Sequence, residues 1–236
     1  MTPLLHQFLA LITVFVSTVT SCISCTPVST RRTIVVEIPA SPKLFPSVAR
    51  VATIPTSLEN PRVTVATAWA IDKDHLMTAG HFCESAHELK TLGYADDILW
   101  LTGVDVQGKP TINFPGKVKA WVNKDMNDMC IIESFGHPLL PLELETDLSL
   151  VQAEDPIITL GAPRGYFMIR RDGYVWAVVE DGIMLAIEVQ SGNSGGPIIW
   201  QGKVIGMIVL SIPGLNETGI AVRSDNLKRF LDEHLL

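Results

Sequence analysis

Short runs of β-branched and other apolar residues, interrupted by Pro, Gly, Asn and Asp, constrain the fold of this chain more than any other feature. Runs of this length between turn residues indicate β-strands, and no long stretch has a helical period. Many short strands without long helices are typical of an all-β barrel fold. The runs are residues 48–52, 63–71, 75–78, 98–101 and 118–122 in the first half, and 156–161, 173–179, 183–187, 197–200 and 204–209 in the second.

A polar connector, residues 138–150, separates the two halves of this pattern and contains two prolines and several acidic residues. The 236 residues provide enough chain for one domain of two barrels. We therefore expect a folded domain over residues 46–236, with one barrel over about 46–137 and a second over about 150–223.

The end of the chain, residues 224–236, has the pattern of one amphipathic helix. Ser224 is a residue type that caps helix N-termini. The apolar positions lie on one helical face and are Leu227, Phe230, Leu231 and Leu235. We therefore expect a single C-terminal helix packed on a barrel.

The first 25 residues are predicted to be a targeting segment outside the folded domain. Residues 4–20 are apolar apart from His6, Gln7 and small hydroxyl residues, which is typical of a secretory signal or a membrane anchor. The segment Val19-Thr20-Ser21-Cys22 resembles a bacterial lipoprotein processing site, at which Cys22 would carry a lipid. An ordinary cleaved signal and an uncleaved anchor are the alternatives. We expect export, as a membrane-anchored lipoprotein or as a periplasmic or extracellular protein.

Residues 26–45, rich in Pro, Ser and Thr, are predicted to be a linker. The formal net charge is −7, and no basic cluster is longer than Arg31-Arg32 or Arg170-Arg171. We therefore exclude nucleic acid as a partner, because no run of positive charge can follow a phosphate backbone. Cys22 and Cys25 have the spacing of a redox or metal-binding pair but no second pair accompanies them, so we expect neither a metal ion nor a cofactor.

The segment Gly192-Asn193-Ser194-Gly195-Gly196-Pro197 favours nucleophilic catalysis by Ser194. Glycines on both sides allow a sharp turn that brings two backbone N–H groups to one side, as in an oxyanion hole. A tight structural turn between two strands is the alternative interpretation. The two interpretations differ in whether a base and a carboxylate for Ser194 occur elsewhere.

His81 and Asp128 are the candidates for that base and that carboxylate. His81 ends the segment Thr78-Ala79-Gly80-His81, at the start of a short helical turn, and imidazole can take up and return a proton near neutral pH. Asp128 directly precedes an apolar strand and would orient the imidazole. Asp125 is the competing carboxylate, but it does not directly precede that strand.

With these three segments in the order His81, Asp128 and Ser194, the chain resembles the chymotrypsin-like serine proteases from about Val48 to its end. Residues 158–165, 192–197 and 219–224 are most similar to the HtrA and glutamyl-endopeptidase branches. The resemblance implies two six-stranded antiparallel β-barrels with a C-terminal helix and an active site between the barrels. It implies His81 as general base, Asp128 as its partner, Ser194 as nucleophile, and an oxyanion hole formed by the N–H groups of Gly192 and Ser194.

The resemblance also implies a substrate pocket near Ser194, lined by Glu188, Val189, Ile208, Val209, Leu210 and Gly219. A largely apolar pocket favours uncharged aliphatic or small residues, whereas a carboxylate of Glu188 at its floor would favour Lys or Arg. We favour the apolar alternative, although a shift of one residue in a strand reverses which side chains face the pocket.

Cys83 and Cys130 each lie two residues after a candidate catalytic residue. Since His81 and Asp128 must be within hydrogen-bonding reach, the two cysteines are expected to be close as well. An oxidising compartment would permit a disulfide between them, but two buried free thiols are the favoured alternative.

The leading hypothesis is a serine endopeptidase that cleaves proteins or peptides through an acyl-enzyme intermediate. The alternative is a catalytically inactive homologue that binds peptides or protein partners by strand addition in the same cleft. A cysteine hydrolase using Cys83 or Cys130 is disfavoured, because neither cysteine lies on a glycine-flanked turn.

Overall fold

The computed structural model describes residues 45–59, 61–105, 107, 109–166, 168–212 and 217–235. The predicted targeting segment with Cys22, and the predicted linker up to residue 44, lie outside the described residues. Within the described ranges, each helix is too short or too polar to cross a membrane.

The first half of the described chain forms a closed barrel of six antiparallel strands. The strands are β1 (Val48–Pro55), β2 (Val65–Ala70), β3 (His75–Thr78), β4 (Ala95–Val104), β5 (Pro110–Lys124) and β6 (Asn127–Glu133). Their order around the barrel is β1-β2-β3-β6-β5-β4, and pairing of β1 with both β2 and β4 closes it. A twelve-residue helix, α1 (Gly80–Thr91), follows β3 and packs against β4, β5 and β6.

The second half forms another six-stranded antiparallel barrel. Its strands are β7 (Pro156–Gly161), β8 (Ile169–Val179), β9 (Gly182–Ala186), β10 (Pro197–Trp200), β11 (Lys203–Ser211) and β12 (Thr218–Arg223). They follow the order β10-β11-β12-β9-β8-β7, and β10 closes the barrel by pairing with β7. Three short 3-10 turns complete the described elements, at Phe45–Ser47, Leu148–Leu150 and Pro163–Gly165.

Helix α2 (Ser224–Leu235) ends the described chain. It buries Leu227, Phe230 and Leu231, as the spacing of its apolar residues predicts. The hydroxyl of Ser224, the predicted helix cap, donates to the main-chain oxygen of Glu145 and so ties the start of the helix to the connector. The predicted fold, two six-stranded antiparallel β-barrels with a C-terminal helix, is confirmed.

An apolar seam joins the two barrels. Trp69 and Met77 of barrel one pack in the same buried cluster as Ile158, Leu160 and Met207 of barrel two. Each of these side chains is at most 1% exposed. Burying such a side chain stabilises the fold by about 1.5–3 kcal/mol, so the seam fixes the position of one barrel against the other.

The connector between the barrels is bonded to both of them. The N–H of Leu142 donates to the oxygen of Ala70 in β2 at 3.0 Å. Three residues later, the N–H of Glu145 donates to the oxygen of Val204 in β11 at 2.9 Å. The connector is therefore held by main-chain hydrogen bonds to a strand of each barrel.

Candidate active site

The first helix of barrel one brings His81 to Asp128. The main-chain N–H of His81 donates to Oδ1 of Asp128 at 2.7 Å, and ring Nδ1 of His81 lies 2.6 Å from Oδ2. An ionised carboxylate only accepts hydrogen bonds, so Nδ1 carries the proton and Nε2 is left as the basic nitrogen. The Asp128 side chain is 9% exposed and that of His81 is 40% exposed. The pair can accept a proton at Nε2 and stabilise the resulting charge.

Gly80 makes this arrangement sterically possible. A Cβ atom at position 80 would lie 1.9 Å from the oxygen of Val122 and 2.8 Å from the nitrogen of Met129. The start of α1 can therefore approach the backbone of β5 and β6 only without a side chain. Asp125 occupies the turn between these strands with φ of 56°, and it is Asp128 that contacts His81.

A disulfide joins Cys83 in α1 to Cys130 in β6. Both cysteines are completely buried. The favoured sequence interpretation, two free thiols, does not hold in the structure. The bridge connects the same helix and strand that carry His81 and Asp128, and so holds these elements together at a second point.

Ser194 lies in the turn between β9 and β10, where the predicted strand-turn-strand pattern places it. Gly192 has φ of +94°, a conformation that residues with a Cβ rarely adopt. Among the described residues, the N–H groups of Gly192 and Ser194 have no acceptor. Both are therefore free to donate to a bound group.

His81, Asp128 and Ser194 line one cleft of about 500 Å³. Its other lining residues are Asn123, Asp125, Met126, Val189, Gln190, Ser191, Val209, Leu210 and Ser211. Considering the described residues, the ring of His81 and the hydroxyl of Ser194 share the cleft without a hydrogen bond between them. Such bonds are often long before substrate binds and tighten in the complex.

No model of a known protein family matches the chain, and no curated protein sequence does. The Rv3671c protease from M. tuberculosis, solved in its active form, is similar with a TM-score of 0.66 and 19% identity over 83% of this chain and 84% of that chain. The fold is that of the trypsin-like serine proteases. The predicted resemblance is thus confirmed at the level of the fold.

Two further structures have the same trypsin-like fold. Deg5 has a TM-score of 0.62 and 22% identity, over 79% of this chain and 88% of that chain. The serine endoprotease from Yersinia pestis has a TM-score of 0.66 and 16% identity, over 83% of this chain and 65% of its own.

Within this trypsin-like fold, the residues predicted for the substrate pocket divide into two groups. Val189, Val209 and Leu210 line the cleft beside Ser194. Gly219 is in close contact with Val189, because a Cβ at position 219 would be 2.7 Å from Val189 Cγ2. Ile208 was predicted to line the pocket, but its side chain is completely buried in the core of barrel two.

Glu188, like Ile208 and Gly219, is a predicted pocket residue that does not line the cleft. One carboxylate oxygen accepts from the Gln190 side-chain amide at 2.5 Å, and the other lies 3.5 Å from the Arg171 guanidinium. The charge of Glu188 is therefore balanced on the surface of barrel two. Val189, Val209 and Leu210 give the cleft an apolar part of its lining, beside the polar residues Gln190, Ser191 and Ser211.

Sequence reasoning missed other residues of the site, including Met126, Gln190 and Ser191, which line the cleft. Met126 lies in the two-residue turn before Asp128, and its Cε reaches barrel two, 3.0 Å from where a Cβ of Gly182 would be. As for metals, the described part of the chain contains no group of three or more His, Cys, Asp or Glu side chains that could hold one.

Proposed function

We propose that the protein is a serine endopeptidase that hydrolyses peptide bonds through an acyl-enzyme intermediate on Ser194. The observation that carries the proposal is the shared cleft of His81, Asp128 and Ser194, in which Asp128 fixes the tautomer of His81 through a 2.6 Å contact. The trypsin-like fold supports the same reaction class, since the similar structures are proteases by description.

In the proposed reaction, Oγ of Ser194 attacks the carbonyl carbon of the substrate while its proton passes to Nε2 of His81. The carbonyl oxygen becomes an oxyanion and accepts hydrogen bonds from the free N–H groups of Gly192 and Ser194. His81 then returns its proton to the amine, and the C–N bond breaks to leave an ester on Ser194. Water, deprotonated by His81, attacks the ester and releases the acid and the Ser194 hydroxyl.

The substrates proposed are proteins or peptides with an uncharged aliphatic or small residue on the acyl side of the cleaved bond. Support comes from the apolar side chains of Val189, Val209 and Leu210 in the lining of the cleft. The Glu188 carboxylate does not offset this preference, because Arg171 and Gln190 already engage it.

We also propose that the protein acts outside the cytoplasm, attached through a lipid at Cys22. The buried Cys83–Cys130 disulfide supports export, since disulfides persist in oxidising compartments. Mass spectrometry of the N-terminus of the exported protein tests this. A lipid-modified Cys22 is the expected result, and an unmodified N-terminus elsewhere overturns the anchor.

A fluorophosphonate probe, which forms a covalent bond only with an activated serine, tests the proposed activity. We expect the full-length protein to be labelled and to cleave an unstructured protein such as casein, and Ser194→Ala to do neither. Far-UV circular dichroism of both proteins controls for folding. A folded wild-type protein that binds peptides but is neither labelled nor active would be the inactive homologue, and would overturn the proposal.

A further inference from the structure

Thr67, the third residue of β2, contacts the loop that carries Ser194 in the other barrel. Its main-chain N–H donates to the oxygen of Ser194 at 2.9 Å, and its hydroxyl donates to the oxygen of Gly192 at 2.8 Å. The same hydroxyl accepts from the N–H of Ala162 at 3.0 Å, and the Thr67 oxygen accepts from the Thr78 hydroxyl at 2.6 Å. Thr67 is completely buried, so all of its polar groups are engaged within the protein.

We propose that Thr67 is a positioning residue for the oxyanion hole: its hydroxyl holds the peptide between Gly192 and Asn193, which joins the two peptides whose N–H groups, those of Gly192 and Ser194, form the hole. The inference rests on the proposed function, since an oxyanion hole has a role only if Ser194 forms a tetrahedral intermediate.

The hydrogen bonds of four successive carbonyl groups support this role. The oxygen of Ser191 accepts from the N–H of Arg164 at 2.5 Å, and that of Asn193 accepts from the N–H of Gly196 at 2.8 Å. The oxygens of Gly192 and Ser194, as described, accept from Thr67. In a trans peptide the C=O of one residue and the N–H of the next point in opposite directions, so the bonds to the Ser191 and Asn193 oxygens set the directions of the Gly192 and Ser194 N–H groups. Thr67 holds the two peptides that flank the one carrying the Ser194 N–H.

The hydroxyl adds to one bond inside the loop, in which the Asn193 N–H donates to the oxygen of Gln190 at 3.0 Å and holds the same peptide from its other side. Gly192, at φ of +94°, has access to more backbone conformations than any other residue type, and its carbonyl bonds to no group in its own turn. The Thr67 hydroxyl has one proton to donate. Since the N–H of Ala162 occupies a lone pair, that proton is directed to Gly192.

A set of three variants tests the proposal. Thr67→Val keeps the shape of the side chain but leaves the Gly192 oxygen and the Ala162 N–H without a partner, whereas Thr67→Ser restores both bonds. Thr102→Val is the matched control: Thr102 lies in β4 of the same barrel, is 5% exposed, and its hydroxyl has no partner among the described residues.

We expect Thr67→Val to lower kcat by roughly 10- to 100-fold with little change in KM, because losing a whole oxyanion-hole donor costs about 10²- to 10³-fold in turnover. Affinity for a peptide trifluoromethyl ketone, which forms a tetrahedral adduct with the serine, should fall in parallel. The affinity for an uncleaved peptide should stay the same when Thr67→Val is added to a Ser194→Ala variant. Thr67→Ser and Thr102→Val should retain the wild-type kcat.

The proposal is overturned if Thr67→Val retains the wild-type kcat, if the loss is in KM alone, or if Thr67→Ser is as impaired as Thr67→Val. Should Thr67→Val fail to fold, Thr67→Ala is measured in its place with the same expected split between kcat and KM. Failure of the proposed function is distinguishable, because the folded wild-type protein would then be inactive as well.

Discussion

The carboxylate of Asp128 contacts His81 twice, with Oδ1 bonded to the main-chain N–H and Oδ2 lying 2.6 Å from ring Nδ1. One contact fixes where α1 begins relative to β6, and the other fixes the rotation of the imidazole. A single buried side chain therefore determines both the position and the tautomer of His81.

Asp128→Asn should abolish most activity while preserving the fold. The amide can still accept from the main-chain N–H of His81, but its NH₂ group facing Nδ1 favours the wrong tautomer. In serine proteases this loss costs about 10⁴-fold in turnover. The measurement is kcat for a peptide substrate, with Asp125→Asn as the comparison. A larger loss for Asp125→Asn than for Asp128→Asn would contradict the assignment.

Gly219→Ala should narrow the range of substrates. Because the new Cβ would lie 2.7 Å from Val189 Cγ2, the Val189 side chain, which lines the cleft, must shift and change the shape of that lining. We expect kcat/KM to fall for peptides with leucine before the cleaved bond and to be retained for peptides with alanine there. Equal effects on both peptides would show that Val189 does not border the substrate side chain.

Removing the disulfide should destabilise the protein. The bridge spans 47 residues, and a disulfide typically contributes about 2–4 kcal/mol to the free energy of unfolding. Urea unfolding of a Cys83→Ala/Cys130→Ala double variant measures the loss. With reductant present throughout unfolding, the wild-type protein should become nearly as unstable as the variant. Equal stability of the oxidised wild-type protein and the variant would refute the prediction.

Asp72 should contribute stability that disappears in acid. Partial burial raises its pKa, but hydrogen bonds from the Asp74 and His75 N–H groups and the contact with the His75 ring outweigh this, so the pKa of Asp72 lies below its usual value. A group with a lowered folded-state pKa stabilises the fold above its unfolded pKa, about 4, and loses that effect as the pH falls through the folded value.

Melting temperatures of the wild-type protein and Asp72→Asn test this linkage. We expect the variant to melt at a lower temperature near pH 5, and the difference to shrink as the pH falls toward about 2. A difference that is the same at both pH values would mean that the charge of Asp72 has no part in stability.

Most of the fold could be predicted from the sequence because many of its strands are short apolar runs, bounded by turn residues and buried along nearly their whole length. The runs at 75–78, 156–161 and 197–200 coincide with β3, β7 and β10. Strand β5 was predicted only at 118–122 but begins at Pro110, because its first half is largely exposed and carries little apolar signal. Helix α1 is longer than the short turn expected at His81. Its length could not be predicted, because only four of its residues are buried and its sequence therefore has little apolar periodicity.

The site was harder to predict where it depends on register or on distant contacts. Pairing of β11 with β12 shifts between Ile208 and Leu210, so strict alternation does not predict that Val209 and Leu210 both line the cleft. Thr67 has no local signal at all. Its hydroxyl bonds to a carbonyl 125 positions away, a contact that exists only once both barrels have closed.

The Cys83–Cys130 bridge lies wholly within barrel one, whereas Ser194 belongs to barrel two. A shift of one barrel against the other would leave the imidazole and its carboxylate moving together, and would change both their distance from the Ser194 hydroxyl and the bonds of Thr67 to the Ser194 loop. A partner or ligand that displaces one barrel against the other by a fraction of an ångström would thus lower the turnover rate without disturbing the contact between His81 and Asp128.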